Sequence, residues 1–408
     1  MFETKLEKQK ALLVIPNEND ESEMRMHLRS EELESLVSTM GATPLSIITF
    51  NIRKINAATL FGKGQVEEIK ENVLFHEPDL VIFDTSLSPR ILRNLEAELD
   101  ICCIDREEVI LQIFADRART REAVLQVSLA RAEYSLPRLQ RRWSNLSQQR
   151  GGVKGSRGAG ERQLELDRRQ LENQIVALKR ELEEVKRTRD TQRSRRQNSS
   201  IYSFALVGYT NAGKSTLMNA LTGSDGLAED KLFATLDTTT RMLSFSKDIK
   251  ATISDTVGFV SNLPHHLVNA FSSTLEEASL SDCLIIVLDA SNPDMEMAYN
   301  TTNEVLKELG CEEKERIIVF NKIDTEGNDF ALSRMRVAIP LHIEISAKTK
   351  EGLSELMDAM KEKVLSRAKR KTVELELTDT EALSRLYRFK IVTDVNYLDD
   401  KVVVTYIE

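Results

Sequence analysis

The chain has 408 residues, of which 41% are hydrophobic and 30% are charged, and its formal net charge is −9. Because one hydrophobic core rarely organises so long a chain, we expect two to four domains. No apolar run approaches the roughly 18 residues of a membrane-spanning helix, and the amino terminus lacks a secretory pattern. The 4 cysteines lack metal-ligand spacing. These features argue against a membrane-spanning protein or a disulfide scaffold, and they predict a cytoplasmic protein.

Up to residue 116, short apolar runs alternate with helical patterns. The order β-α-β-α-β-α-β predicts a small parallel sheet covered by helices. The stretch Phe61–Gly64 opens the second helix, and it is explained either by phosphate binding or by a glycine turn that meets a partner's backbone. The second explanation is favoured. The predicted strands are Leu12–Ile15, Leu45–Ile48, Leu80–Phe83 and Ile101–Ile104.

A helical hairpin is predicted next. From Arg117 to Gln149 apolar residues recur at spacings of three and four, and Pro137 should kink the helix locally. From Glu161 to about Arg195 the apolar residues form a heptad seam. Two such helices joined by a short link make an antiparallel helical hairpin.

The link between these helices has an unusual composition. Residues 150–160 hold five of the chain's 16 glycines together with Arg150, Lys154 and Arg157, and Arg162 follows. Bare backbone permits close approach to phosphates and sugars, so this loop (150–162) is predicted to contact folded RNA, with a flexible linker as the alternative. Residues 117–196 contain 21 Lys or Arg against 10 Asp or Glu, which indicates a polyanionic partner unless the charge serves solubility alone.

The motif Gly208-Tyr-Thr-Asn-Ala-Gly-Lys-Ser215 has the G-x-x-x-x-G-K-[ST] form of a phosphate-binding loop. Its context agrees, because the apolar run Ile201–Val207 reads as a strand entering it and Ser215–Leu221 as a helix leaving it. Backbone N–H groups and the helix amino terminus would face the phosphates. Lys214 is predicted to reach the β- and γ-phosphates, and the Ser215 hydroxyl is predicted to ligate Mg²⁺.

Two further loops are expected to select the base. The strand Arg316–Phe320 ends at Asn321-Lys-Ile-Asp324, at the sheet edge where open α/β proteins bind ligands. The Asp324 carboxylate only accepts hydrogen bonds, which suits the ring N–H and the exocyclic amine of guanine but would leave a buried charge unpaired against adenine. Asn321 and Lys322 would brace the base and the phosphate loop. A second guanine loop, Ser346-Ala347-Lys348, follows the predicted strand Leu341–Ile345.

Two segments are predicted to respond to the γ-phosphate. Asp255, in Asp255-Thr-Val-Gly258, follows the strand Ala251–Ser254 and should hold Mg²⁺ through water, while the Gly258 amide senses the γ-phosphate. In the polar stretch Lys231–Arg241, Thr235 is the preferred second protein ligand of Mg²⁺, ordered while the γ-phosphate is present. The weaker candidates are Thr238 and Thr239.

Phe259 stands where many small GTPases carry the glutamine that orients the attacking water. A phenyl ring cannot orient or deprotonate water, so hydrolysis by the chain alone should be slow, with acceleration from another group or a partner. Asn211 lies three residues before Lys214, as in GTPases that use a K⁺ ion in place of an arginine finger. A purely structural role of Asn211 in the tight turn is an equal alternative.

Taken together, these residues make the whole chain resemble the HflX family of ribosome-binding GTPases. The resemblance implies GTP hydrolysis stimulated by the large ribosomal subunit, a hairpin loop that reaches ribosomal RNA near the peptidyl-transferase centre, and splitting of stalled or idle ribosomes. We also expect no DNA partner, no stable membrane association and a monomeric chain. Thr238 departs from the proline that relatives often carry, and the carboxyl-terminal segment matches least. The matching segments are Phe61–Glu68, Phe114–Glu122, Gly160–Arg169, Gly208–Thr216, Phe233–Asp237 and Asp255–Phe259.

The predicted fold is a multidomain α/β protein in four parts. These are a small parallel α/β N-terminal domain (1–116), an antiparallel helical hairpin (117–198), a Ras-like α/β P-loop GTPase domain (199–370) and a small α+β appendage (371–408). The appendage is predicted to contain two strands, Leu386–Val392 and Lys401–Ile407.

The predicted cofactors are Mg²⁺ and GTP or GDP, with K⁺ as a further candidate. Catalytic roles are predicted for Lys214, Thr235 and Gly258, and metal ligation for Ser215, Thr235 and Asp255. Two alternatives stay open, a GTP-gated interaction protein and an RNA-remodelling protein that acts outside translation. The predicted nucleotide-binding residues are Gly208, Tyr209, Thr210, Asn211, Ala212, Gly213, Lys214, Ser215, Thr216, Phe233, Ala234, Thr235, Leu236, Asp237, Asp255, Thr256, Val257, Gly258, Asn321, Lys322, Asp324, Ser346, Ala347 and Lys348.

Overall fold

The computed structural model describes most of the chain, and its backbone groups into two compact units. The first unit comprises residues 1–198, 229–237 and 257–276, and the second comprises residues 199–228, 238–256 and 277–408. The described residues are 8–18, 21–139, 157–197, 201–223, 232–233, 238–246, 249–260, 277–325, 329–367, 370–376, 379, 382–384, 391–398 and 401–407.

The first unit is built on a four-stranded parallel sheet, as the alternating pattern predicts. Its strand order is β2-β1-β3-β4. Strand β1 is buried on both faces, because Leu12 and Val14 pack into one core and Leu13 and Ile15 into another. The elements are β1 (Lys10–Asn17), α1 (Glu23–Met40), β2 (Thr43–Asn51), α2 (Lys63–His76), β3 (Leu80–Phe83), α3 (Pro89–Leu99) and β4 (Cys102–Asp105).

Paired charges are buried at the carboxyl edge of this sheet. Asp84 directly follows β3, and its two carboxylate oxygens contact Arg29 at 2.8 Å and Arg106 at 2.5 Å. Glu32 contacts the same Arg106 guanidinium at 2.8 Å. Strand order reverses between β1 and β3, the position where open α/β sheets commonly bind ligands. In this unit, the paired side chains of Asp84, Arg29 and Arg106 lie at that position.

The helical region begins earlier and is more broken than the sequence predicts. The prediction that a helix starts at Arg117 is wrong, because one helix ends at that residue and the next begins at Arg121. The Thr120 hydroxyl caps this second helix by accepting the Ala123 N–H at 3.2 Å. Pro137 lies in a 3₁₀ turn. The elements are α4 (Arg106–Arg117), α5 (Arg121–Ser135), the 3₁₀ turn (Leu136–Arg138) and α6 (Arg157–Gln197).

Helices α5 and α6 form the predicted packed pair. Leu129 and Ala132 of α5 share a small core with Ile175 of α6, and Lys179 contacts Glu133 at 2.8 Å. Helix α6 begins at Arg157, so the last residues of the predicted loop, 157–162, are helical instead. The link contains no proline, and a formed helix propagates more easily than it nucleates. Residues 150–156 of the loop lie outside the described residues.

The second unit contains a six-stranded sheet of order β10-β9-β8-β5-β7-β6. Neighbouring strands are parallel except β6, which runs antiparallel to β7. The strands are β5 (Tyr202–Val207), β6 (Thr239–Ser244), β7 (Lys250–Asp255), β8 (Cys283–Asp289), β9 (Glu315–Asn321) and β10 (Ile343–Glu344). The helices are α7 (Lys214–Thr222), α8 (Met295–Glu308), α9 (Asp329–Ala338) and α10 (Leu353–Arg367).

Three elements of this unit differ from the sequence prediction. Strand β6 was not predicted, β10 is shorter than predicted, and a third strand joins the predicted carboxyl-terminal pair. Strand β11 (Arg370–Glu376) and strand β12 (Ile391–Tyr397) both run antiparallel to β13 (Lys401–Ile407), which lies between them. The observed β12 lies five residues beyond the start of its predicted counterpart, and residues 386–390 lie outside the described residues.

Candidate nucleotide-binding site

The phosphate-binding loop joins β5 to α7 and requires glycine at both ends. Gly208 has a φ of +148°, and a Cβ atom there would lie 2.3 Å from the Val287 carbonyl oxygen. Gly213 has a φ of +88°, and a Cβ atom there would lie 2.3 Å from Asn321 Nδ2. Other residues would therefore displace the loop from β8 and from the Asn321 side chain.

Lys214 lies buried at the first position of α7, where its ammonium group turns back into the loop. Its Nζ donates hydrogen bonds to the carbonyl oxygens of Gly208 at 3.0 Å and Tyr209 at 2.8 Å. Burial lowers the pKa of Lys214 to about 8, and the nearby Asp255 carboxylate opposes that change. The ammonium group thus sits among the backbone groups that a bound polyphosphate would face.

Ser215 and Asp255 bring two oxygen ligands together. The Ser215 hydroxyl donates to Asp255 Oδ2 at 2.6 Å, and only 1% of Asp255 is exposed. Asp255 ends β7, and the following Thr256 hydroxyl donates to the Leu206 carbonyl at 2.7 Å, which fixes β7 against β5. A buried carboxylate beside a hydroxyl is a donor set that suits Mg²⁺, which prefers oxygen ligands.

The side chain of Asn321 connects three loops at the carboxyl edge of the sheet. Its Nδ2 donates to the Ala212 carbonyl at 2.8 Å, and its Oδ1 accepts the Ala347 N–H at 2.9 Å. Lys322, with a φ of +67°, contacts Asp289 at 2.7 Å. Asp324 is exposed. The structure thus places an exposed carboxylate on a loop that is fixed to both the phosphate loop and the Ser346 loop.

Apolar residues from two segments that the sequence associates with the γ-phosphate are buried in the core of the first unit. Phe233 packs edge-on against Phe114, with ring centroids 4.6 Å apart, and Val257 and Val260 join the same core. Phe259 is 1% exposed. The described apolar residues of both segments therefore belong to this core, although the stretch Lys231–Arg241 is largely polar in sequence.

The comparisons with known proteins agree with this geometry. Residues 27–115, 117–196 and 203–322 match families described as GTP-binding GTPase N-terminal, GTP-binding GTPase Middle Region and 50S ribosome-binding GTPase, respectively. The GTPase HflX of Treponema denticola is 48% identical over 336 residues, which cover 81% of this chain and 86% of that protein. The GTPase HflX of Caldanaerobacter subterraneus subsp. tengcongensis is 41% identical over 401 residues, which cover 98% of this chain and 88% of that protein. The chain belongs to the HflX family.

Membership of the HflX family identifies the chain as a GTPase that binds GTP and GDP and contains a domain of the ribosome-binding type. A GTP-binding protein of Sulfolobus solfataricus, solved in complex with GDP, is 25% identical, with coverage of 88% of this chain and 99% of that chain and a TM-score of 0.46. Within the described residues, no helix is long and apolar enough to cross a membrane.

The predicted site residues fall into three groups in this HflX-family chain. The second unit brings together residues 208–216, Asp255 with Thr256, and the loops 321–324 and 346–348 through the hydrogen bonds described above. Phe233, Val257 and Gly258 belong to the first unit. Thr239 begins β6 opposite Asp255. Ala234, Thr235, Leu236 and Asp237 lie outside the described residues.

One residue and one contact of this site were not predicted from the sequence. Asp289, the partner of Lys322, ends the apolar strand β8, and its position at a strand's carboxyl end is a signal that could have identified it. The direct contact of Asn321 with Ala212 joins residues 109 positions apart. No local pattern reveals that contact, because it depends on the sheet order.

Proposed function

We propose that this GTPase binds the large ribosomal subunit in its GTP-bound state and splits stalled or idle ribosomes in the cytoplasm, acting as a monomer. The observation that carries the proposal is the match of residues 203–322 to the family described as 50S ribosome-binding GTPase. It is supported by the strongly basic helical region that precedes these residues in the chain, since ribosomal RNA is a polyanion.

In the proposed reaction, the residues of the second unit bind and orient GTP. The phosphate-loop backbone and Lys214 hold the phosphates, while Asp324 selects guanine from a loop that Asn321 braces. Mg²⁺ would be held by Ser215, by Asp255 through water and by Thr235, and when bound it neutralises charge on the β- and γ-phosphoryl oxygens. The Gly258 amide would sense the γ-phosphate.

Hydrolysis by the free protein is proposed to be slow. Phe259 is buried, and its side chain has no group that can hydrogen-bond to water. Acceleration is therefore proposed to come from the ribosome or from another group, with a K⁺ ion held at Asn211 in place of an arginine finger as one candidate. Asn211 has a φ of +60°, a conformation that asparagine adopts more readily than most residues, so its role in the turn is sufficient to explain its presence.

The helical pair is proposed to carry the basic glycine loop to ribosomal RNA. Helix α6 has 41 residues, which at 1.5 Å per residue makes it about 60 Å long. Its contacts with α5 involve Ile175 and Lys179, well beyond its first turns. A helix of this length can hold a loop far from the core that anchors it, as access to a deep site on a large particle requires.

Co-sedimentation of the full chain with purified large subunits, small subunits and whole ribosomes tests the proposal. With a non-hydrolysable GTP analogue, the chain should pellet with large subunits, and the bound fraction should fall with GDP and with rising salt. Lys214→Ala, which weakens phosphate binding, is the matched control and should pellet equally little with either nucleotide. Equal recovery in the supernatant with every particle and nucleotide would contradict the proposal and favour a GTP-gated protein interaction instead.

A further inference from the structure

The Thr210 hydroxyl differs from the other buried threonine hydroxyls of the second unit. Thr210 is only 6% exposed, and its Oγ1 has no hydrogen-bond partner within the part of the chain that the structure describes. By contrast, Thr256 Oγ1 donates to the Leu206 carbonyl at 2.7 Å, and Thr302 Oγ1 donates to the Ala298 carbonyl at 2.7 Å. An unpaired buried hydroxyl destabilises a fold, so its presence calls for an explanation.

The place of Thr210 in the phosphate loop indicates what could pair with it. The preceding carbonyl, that of Tyr209, accepts a hydrogen bond from the Lys214 ammonium, so the loop at this point faces the cation expected at the β- and γ-phosphates. A hydroxyl can donate one hydrogen bond, and a phosphoryl oxygen accepts one readily. A valine at this position would have nearly the same shape and would remove the unpaired group.

We propose that Thr210 Oγ1 donates a hydrogen bond to a γ-phosphoryl oxygen of GTP. This contact would exist with GTP and be lost with GDP, so Thr210 would contribute to discrimination between the two nucleotides. It would also stabilise the negative charge on the equatorial oxygens of the transferring phosphoryl group.

Two substitutions separate the hydroxyl from the shape of the side chain. Thr210→Val keeps the branched shape and removes the hydroxyl, whereas Thr210→Ser keeps the hydroxyl. Thr302→Val is the matched control, since it removes another buried hydroxyl, one that already has a protein partner in α8. For each full-length variant, the measurements are the affinities for GDP and for a non-hydrolysable GTP analogue with Mg²⁺, the single-turnover rate of GTP hydrolysis, and the thermal unfolding midpoint.

The proposal predicts opposite effects on nucleotide discrimination and on stability. Thr210→Val should bind the GTP analogue about tenfold to a hundredfold more weakly and bind GDP unchanged, as loss of a hydrogen bond to a charged group requires. Its hydrolysis rate should fall at least as much, while its unfolding midpoint stays level or rises. Thr210→Ser should retain most of the discrimination. Thr302→Val should lower the midpoint without changing the ratio of the two affinities.

Two results would overturn the proposal. If Thr210→Val matches the unsubstituted protein in analogue affinity and hydrolysis rate, the hydroxyl does not contact the γ-phosphoryl group. If Thr210→Val loses GDP and analogue affinity equally and its midpoint also falls, the hydroxyl supports the loop structure and does not distinguish the nucleotides.

Discussion

Asn321 Nδ2 donates a hydrogen bond to the Ala212 carbonyl at 2.8 Å, which ties the guanine loop to the phosphate loop across 109 residues of sequence. The same side chain accepts the Ala347 N–H through Oδ1 at 2.9 Å. One buried amide thus joins the phosphate loop to the loop that is proposed to read the base.

Asn321→Asp tests this connection, because aspartate retains an acceptor for Ala347 and loses the donor to Ala212. A carboxylate facing a carbonyl oxygen should weaken GTP and GDP binding alike, by about 1–3 kcal/mol, or roughly fivefold to a hundredfold. Equilibrium binding of a fluorescent GDP measures the effect. Asn72→Asp on α2, where the amide donates to the Glu68 carbonyl at 2.9 Å, is the control. Unchanged GDP affinity in Asn321→Asp would show that the amide does not organise the loops.

Asp324→Asn should shift base preference. The amide can donate where the carboxylate accepts, so affinity for GTP should fall at least tenfold while affinity for xanthosine triphosphate rises. Competition against a labelled nucleotide gives both values in one experiment. Asp329→Asn, on a neighbouring exposed position, should leave both affinities unchanged. Retained preference for GTP over xanthosine triphosphate in Asp324→Asn would mean that another group reads the base.

Nucleotide affinity should depend on pH through Lys214. Burial lowers its pKa to about 8 in the free protein, and bound phosphates favour the charged form and raise the pKa again. Affinity should therefore be constant below about pH 8 and fall by up to tenfold per unit as pH rises above it. Titrations of GDP binding from pH 7 to 9 with Lys214→Arg as reference isolate the effect, since arginine stays charged. If the affinity of Lys214→Arg falls with pH in the same way as that of the unsubstituted protein, a group other than Lys214 causes the pH dependence.

The fold could be predicted where a strand or helix has a clear hydrophobic pattern in its own residues. Strands β1, β5 and β8 are near-continuous apolar runs, and α6 carries a heptad seam, so local pattern was sufficient. Strand β6 was not predicted because only Leu243 is buried in it and its remaining residues are polar or exposed. Its strand character comes from antiparallel pairing with β7. Strand β11 begins with Arg370 and Lys371, whose charges continue the pattern of the preceding helix.

Part of the candidate site could likewise be predicted from local sequence and part could not. The phosphate loop and the Asn321 loop are short motifs whose residue types alone indicate their chemistry. The burial of Phe233 against Phe114 is not, because these residues are distant in sequence and meet through the tertiary fold. The unpaired hydroxyl of Thr210 is likewise invisible in the motif, where its position accepts any residue.

The basic glycine loop should supply salt-sensitive contacts to the ribosome. Replacing Arg150, Lys154 and Arg157 with alanine should remove about three phosphate contacts and lower the slope of log affinity against log salt by roughly 2 to 3. The matched control removes the same charge elsewhere, through alanine at the exposed Lys70, Arg90 and Arg93. GTP affinity of the free protein should not change in either variant. Equal slopes for the two triple variants would assign the salt dependence to other residues.

The rate of GTP hydrolysis with and without purified large subunits tests most directly whether this GTPase acts on the large ribosomal subunit. The free chain should hydrolyse GTP slowly, because Phe259 offers no water-orienting group, and saturating large subunits should raise the rate at least about tenfold. Small subunits serve as the control and should leave the rate unchanged. A fast rate in the free chain that large subunits do not alter would contradict the account.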